Sequence, residues 1–362
     1  MAVSAAAQLD LEHVNSVCIL CWGLIGDVLV RVPTIEALKL RYPKARFTVV
    51  VDPASRGALA NHPDCDELFE FSRRKRPVWN YLCGTVANVL ALRRRRFDLC
   101  VNLYSGGTSP RITRLINARI RLGFDHTAAL RRANNLRMKH PSLCENWYKA
   151  FGTVLAPLGV APDCIRAGTS FRCSPAADHY AQELLGRRRN YVVAFNLGAG
   201  SADKRWSVEN YAALAHHVWR RHHLTPLVFT NPGMEALAQE FIRTCGTEVP
   251  VIHVPPVSLD RVGAVMQLCV CVVTGDTSLM HVAFGLKRPT LVLFTHTRPE
   301  LVAPEDCVNV TCFVEDPAHI DALCGRPFGT RAIPVEFVTA RFDELMAKIH
   351  GTNSSERSIT SC

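Results

Sequence analysis

No apolar run in this 362-residue chain approaches the ~18 residues that a helix needs to cross a bilayer, which excludes a helical membrane span. No lysine or arginine precedes Arg31, so the start lacks the positive region of a secretory signal. Together these absences point to the cytosol. Aromatic residues make up only 8% of the chain and few lie among its arginine clusters, which argues against stacking on single-stranded nucleic acid. Internal repeats and a GxGxxG dinucleotide fingerprint are also missing. Asp52, after the strand-like Phe47–Val51, stands where such a fingerprint would have its acid, but Gly23-x-x-Gly26 alone is a weak signal. Cys18 and Cys21 form a CxxC, yet no second CxxC or CxxC…HxxxH spacing accompanies it. It falls inside the apolar run Val17–Trp22, so the fifteen cysteines read as reduced core thiols rather than a zinc or disulfide framework.

What is present is basic charge on one side only. Residues 1–190 hold 28 lysines and arginines against 15 acids, a net +13, while residues 191–362 hold 14 against 17, a net −3. The excess is gathered in Arg73–Arg76, in Arg93–Arg96 and in the run from Arg111 and Arg114 to Lys139. Charge confined to one half favours an anionic partner for that half: nucleic acid, an anionic membrane surface or a phosphorylated substrate.

Strand-like and helix-like segments alternate along the chain. Strands are expected at Val17–Trp22, Phe47–Val51, Leu99–Leu103, Tyr191–Asn196, Leu227–Thr230, Val251–Val254, Val270–Thr274 and Thr290–Phe294. Helices are expected at Val32–Tyr42, Val78–Leu92, Val208–His222 and Leu259–Leu268, with a last one near Phe337–Ile349, and Cys173–Arg189 reads as a helix followed by a basic linker. This alternation predicts parallel sheets covered on both faces, in two α/β domains that divide in the basic stretch near residues 186–190 and meet at a cleft. The Ser/Thr-rich tail after residue 351 is expected to be disordered.

Three loops follow strands and open helices, the arrangement by which α/β proteins hold phosphorylated ligands. In Gly23-Leu-Ile-Gly-Asp27, Asp27 suits either a helix cap or a base that takes a proton from a sugar hydroxyl. In Gly198-Ala-Gly-Ser-Ala-Asp-Lys-Arg-Trp206, Gly198, Gly200 and Ser201 allow backbone amides near a diphosphate, and Lys204 offers a cation for a departing phosphate. Trp206 reads as a core residue. In Gly275-Asp-Thr-Ser-Leu-Met-His281, Thr277 and Ser278 can donate to phosphate, Asp276 suits sugar hydroxyls or a cap, and His281 lies a turn inside the helix on the side of Thr277.

Taken together, Gly26-Asp-Val28 with Pro33, Lys204-Arg-Trp206, and Asp276–His281 followed by Lys287-Arg-Pro289 resemble glycosyltransferase family 9, the ADP-heptose:lipopolysaccharide heptosyltransferases. The resemblance spans most of the chain. It implies an α/β GT-B fold, two Rossmann-like doubly wound domains facing a central cleft: an acceptor domain at 1–188, a donor domain at 189–335 and a helix at 336–350 crossing back to the first domain. It implies inverting transfer of heptose from ADP-heptose to an anionic Kdo/heptose–lipid A core, without cofactor or catalytic metal. Asp27 would be the base, Lys204 would stabilise the leaving diphosphate, and Gly198, Gly200, Ser201, Asp276, Thr277, Ser278, Leu279 and His281 would bind the donor. Gly26, Arg111 and Arg114 would serve the acceptor. An anionic glycolipid accounts for the +13 half without nucleic acid and implies a cytoplasmic protein peripheral to the inner face of the inner membrane. Ser278 stands where the family commonly has Gly, Ser207 where it has Pro, and Thr295-His-Thr-Arg-Pro299 where many members read Gly-Pro-Thr-x-Pro. Transfer to another glycan or to a protein, a related epimerase or phosphorylase, and a non-catalytic basic binding protein are the other readings the residues leave open.

Overall fold

The computed structural model describes residues 10–72, 78–104, 106–142, 144–198, 200, 205–230, 233–321, 325–330 and 332–359, without the side chains of 78–81 and 352–359. The chain divides into two compact units, Met1–Thr169 and Ser170–Cys362.

In the first unit six parallel strands, β1 (Ser16–Leu20), β2 (Arg46–Val51), β3 (Glu67–Glu70), β4 (Leu99–Asn102), β5 (Ile120–Phe124) and β6 (Leu136–Met138), form one sheet in the order 3-2-1-4-5-6. Helices α1 (Ile25–Val30), α2 (Val32–Arg41), α3 (Val78–Arg94), α4 (Ser109–Ile116), α5 (Ala128–Ala133) and α6 (Trp147–Gly152) connect or follow them. β1 is apolar without alternation because a parallel sheet is covered on both faces; Val17, Cys18, Ile19 and Leu20 are all fully buried. Cys18 sits opposite Thr48 on one side and Cys100 on the other. Cys18 and Cys21 are free and buried, and burial pushes both thiols up, so the CxxC is core packing.

The second unit repeats the plan. β7 (Val192–Asn196), β8 (Thr225–Phe229), β9 (Ile252–Val254), β10 (Cys271–Gly275), β11 (Thr290–Phe294) and β12 (Asn309–Phe313) are parallel in the order 12-11-10-7-8-9. Its helices are α7 (Pro175–Leu185), α8 (Val208–His222), α9 (Glu235–Cys245), α10 (Leu259–Gln267), α11 (Ser278–Gly285), α12 (Pro299–Val302) and α13 (Val335–Ile359). An antiparallel hairpin, β13 (Glu315–Ile320) with β14 (Pro327–Gly329), follows the edge strand β12. Phe195, Tyr211, Phe241 and Trp206 share one core with Val338, Phe342, Leu345 and Met346 of α13. Burying each Phe contributes about 2–3 kcal/mol.

The division falls between Thr169 and Ser170, not near 188, because α7 packs on α10. Ser174 caps α7 and is itself fixed by Asp260, which accepts from its amide at 2.9 Å and from its hydroxyl at 2.6 Å. Phe171 joins as well, donating to the Gly285 carbonyl at 3.1 Å; a Cβ on Gly285 would lie 2.7 Å from the Phe171 nitrogen. The last helix, α13, packs on β12, α8 and β11. The tail expected to be disordered continues α13 as helical backbone to Ile359.

Candidate active site

Open parallel sheets bind ligands beyond the C-terminal ends of their strands, where the strand order reverses. That point lies between β1 and β4 in the first unit and between β7 and β10 in the second. All three loops singled out in the sequence leave a strand at one of these points.

In the first unit the chain leaves β1 through Trp22 and turns at Gly23, whose φ of +140° favours glycine. A Cβ there would also sit 2.6 Å from the Cβ of Asp27. Asp27, the third residue of α1, accepts the Leu24 amide through Oδ2 at 2.8 Å and is otherwise exposed. It is therefore both a helix cap and an accessible carboxylate, since the cap engages one oxygen. Asp52 accepts the Gly23 amide at 3.3 Å, so the acid that could have completed a dinucleotide fingerprint braces this turn. Gly26 is half-buried beside Asp27.

One turn beyond Asp27 lies Arg31, which the sequence reading passed over. It is 7% exposed, donates to the Trp22 carbonyl and lies over the rings of Tyr104 at 5.9 Å and Phe151 at 5.2 Å. Its Nε has no hydrogen-bond partner, and among the described residues no carboxylate pairs with it. A buried cation without an anion is costly unless a ligand supplies one. The available signal was its place as the first basic residue of the chain, inside the apolar stretch Val28–Ile35. Across the reversal point, Asn102 and Ser109 draw the start of α4 to the end of β4: Asn102 donates to Ser109 at 3.3 Å and Ser109 to the Tyr104 carbonyl at 2.6 Å. α4 then carries Arg111 and Arg114, both exposed and without a partner among the described residues. Several other basic residues are engaged within the unit. Arg95 pairs with Glu67 at 2.7 Å and Arg166 with Glu36 at 2.7 Å, while Arg121 donates to the Ala118 and Ala133 carbonyls.

In the second unit Asn196, the last residue of β7 and 1% exposed, ties two loops together. Its Nδ2 donates to Thr274 and to Thr277, each at 2.9 Å, and its Oδ1 accepts the Gly198 amide at 3.3 Å. The loop after β7 and the start of α11 are thus locked to one side chain. Gly198 is buried and Gly200 exposed; Ser201 and Lys204 lie outside the described residues. Trp206 donates to the Ile333 carbonyl at 2.9 Å and packs on Tyr211, a core role.

Thr277 caps α11. The amides of Thr277, Ser278 and Leu279 have no acceptor among the described residues, and they open a helix whose dipole favours an anion. Asp276 and Ser278 are half-buried, Leu279 is buried, and His281 is 7% exposed with its ring against Phe284 at 6.4 Å. Gly198, Thr277 and the α11 amides therefore gather at one reversal point, with Asp276 at its rim. Beside them Thr295 meets His296 at 3.1 Å, and Arg298 is fixed by Glu300 and Glu315, the second at 3.0 Å, so the departing Thr295–Pro299 segment is anchored.

Residues 87–319 match the model of glycosyltransferase family 9 (heptosyltransferase). The lipopolysaccharide heptosyltransferase 3 of Escherichia coli is 25% identical over 279 residues, covering 75% of this chain and 81% of that protein. The structure of the glycosyl transferase family 9 protein from Veillonella parvula superposes with a TM-score of 0.79 at 20% identity, covering 95% of this chain and 100% of that one. E. coli heptosyltransferase WaaC, solved with ADP, gives a TM-score of 0.72 at 18% identity over 91% of this chain and 99% of its own. These likenesses show a GT-B-type pair of doubly wound domains.

Proposed function

The chain belongs to glycosyltransferase family 9, and from that premise we propose that it transfers heptose from ADP-heptose, with inversion, to a hydroxyl of an anionic lipopolysaccharide core. The observation that carries the donor half is the Asn196 junction, which sets the Gly198 loop beside the unpaired amides at the start of α11. Glycine-lined backbone and a helix N-terminus suit a diphosphate. ADP in the structure of WaaC and the lipopolysaccharide substrates in the names of relatives support the choice of ligands.

In this reading the diphosphate rests on Gly198, Gly200, Ser201, Thr277 and Ser278. Asp276, an anion itself, takes sugar hydroxyls, and Leu279 and His281 line the donor site. The acceptor oxygen attacks the anomeric carbon while the bond to the β-phosphate oxygen breaks. The bonding pair leaves with ADP, where Lys204 neutralises the growing charge. The acceptor proton passes to the free oxygen of Asp27. Gly26, Arg111 and Arg114 hold the acceptor, and the uncompensated Arg31 guanidinium offers it a further anion contact.

No described helix is long and apolar enough to cross a membrane. A peripheral position at an anionic leaflet rests on the exposed part of the basic excess, at ~1 kcal/mol per basic residue near the surface. The testing experiment is calorimetric titration with ADP, UDP and GDP, followed by ADP-heptose turnover on a truncated lipid acceptor. Selective ADP binding with transfer is expected. Preference for UDP or GDP overturns the donor, transfer only to another acceptor overturns the lipid, and binding of none overturns the enzyme reading.

A further inference from the structure

We propose that His217, His222 and Asp343 bind a divalent transition-metal ion of the zinc class, at the end of the second unit's α8 remote from the donor loops. His217 and His222 lie in the last two turns of α8 and Asp343 on the facing turn of α13. The distance along α8 from Val208 to these histidines is about 14–21 Å at ~1.5 Å per residue. His217 Nε2 is 2.8 Å and His222 Nε2 2.6 Å from the same atom, Asp343 Oδ1, and all three ligand atoms lie within 4.8 Å of one another.

Both rings hydrogen-bond through Nε2, so the in-plane directions of two nitrogens converge on one oxygen, with the rings inclined at 64°. Two imidazoles and one carboxylate are a donor set for zinc, cobalt or nickel, and three protein ligands leave a position for water. Metal–ligand bonds of about 2.0–2.2 Å in tetrahedral geometry separate ligands by roughly 3.4 Å. To reach it the two histidine–aspartate spacings open by about 0.6–0.8 Å, and the histidine–histidine spacing, within 4.8 Å, closes by at most about 1.4 Å, within the reach of side-chain torsions. The His217, His222 and Asp343 side chains are 26%, 15% and 36% exposed, enough for an ion to enter and keep a water. Their backbones are held by the core: Phe342 is fully buried beside Asp343 and stacks edge-on to His222 at 5.4 Å. The second oxygen of Asp343 faces Arg221, whose Nε at 3.6 Å is beyond a hydrogen bond, so the nearby cation addresses the oxygen the metal does not use. An ion here replaces two N–H groups crowded on one acceptor and links the ends of two helices far apart in sequence.

The test uses full-length protein without an affinity tag, titrated with Co²⁺ and followed by visible absorption, then by Zn²⁺ displacement. One equivalent of Co²⁺ is expected, with d–d bands and no near-ultraviolet thiolate charge transfer, which separates this site from the cysteines. His222→Asn and Asp343→Asn should each lose that equivalent, weakening it by more than the ~10–100-fold that loss of an outer partner costs. ADP binding should be unchanged in both. The wild-type titration stands even where a variant folds poorly. Absence of a bound equivalent, a thiolate spectrum, or an equivalent retained in both variants overturns the proposal.

Discussion

Replacing Asn196 by Ala tests the donor site through a residue whose side chain is assigned no contact with substrate. The substitution removes two donations to threonine hydroxyls and strands the Gly198 amide, which is buried. Thr274 keeps its own donation to the Gly275 carbonyl at 3.0 Å, and Thr277 is half-exposed and can turn to water. The main cost is thus the orphaned amide, about 1–3 kcal/mol, with roughly 1 kcal/mol for the neutral hydrogen bonds that water replaces only in part. A sum near 3 kcal/mol in a unit of this size lowers Tm by about 6–12 °C. Because the same side chain fixes the Gly198 loop against α11, ADP affinity should fall at least about tenfold, which is 1.4 kcal/mol. The assays are differential scanning calorimetry and titration with ADP well below the variant's Tm. A variant that melts within 2 °C of wild type and binds ADP within about twofold refutes the account, because tenfold is the least that loss of the junction allows. A variant that melts early but binds ADP normally confines Asn196 to stability.

Asp27→Asn keeps an acceptor for the Leu24 amide but cannot take a proton, so turnover should drop about 10²–10⁴-fold while ADP affinity stays within about twofold; a tenfold loss of ADP binding counts against the base assignment. Gly23→Ala forces a Cβ against that of Asp27 at a φ of +140°, and should lower kcat with no change in ADP affinity; full activity would show that the turn tolerates a side chain. Burial pushes the Asp66 carboxyl up, but the Phe47 amide at 2.7 Å and Lys39 outweigh it and hold the group below its ordinary value. A depressed folded-state value means stability present above about pH 4 and lost as the pH falls through that value. Wild type should therefore exceed Asp66→Asn by at most about 1 kcal/mol at pH 7, given the side chain's exposure, and the gap should close on acidification; urea unfolding showing a gap that widens instead refutes this. Brief iodoacetamide treatment of the native protein should label the exposed Cys83, Cys144 and Cys164, and spare Cys269, whose thiol burial pushes up to about 12. Mass spectrometry finding Cys269 labelled as fast as Cys144 would show that the junction between α10 and β10 opens readily.

The central strands and the loops after them were legible because burial on both faces demands apolar runs, and turns beside them demand Gly and Asp. Thr290–Phe294 and Val208–His222 emerge with the same ends. β3 and β12 were not, being only half covered: Glu67 and Glu70 bound one, and the other alternates between buried and partly exposed residues. β6 has three residues, too few for a pattern. The unit boundary escaped because Thr169 and Ser170 are buried, whereas the basic run at Arg187–Arg189 has the composition of a linker. At the site, glycine and aspartate announced themselves by local chemistry. Asn196 read only as the end of a strand, since its partners are 78 and 81 residues away. Arg121 read as part of an anion-binding patch although its guanidinium is bound to carbonyls of its own unit, a use that charge counting does not distinguish.

Each sheet is begun in its middle, and this sets the order in which a chain under synthesis acquires its properties. When β7, β8 and β9 have left the ribosome, half a sheet can assemble, with the Gly198 loop at its edge. Neither threonine that Asn196 holds has yet emerged, and β10 itself is still to be added beside β7. In the proposed reading the donor pocket is therefore completed late, when β10 docks and α11 follows it. Stalled or prematurely terminated chains that end before Cys271 lack both threonines of the Asn196 junction, and with them the geometry that reading requires.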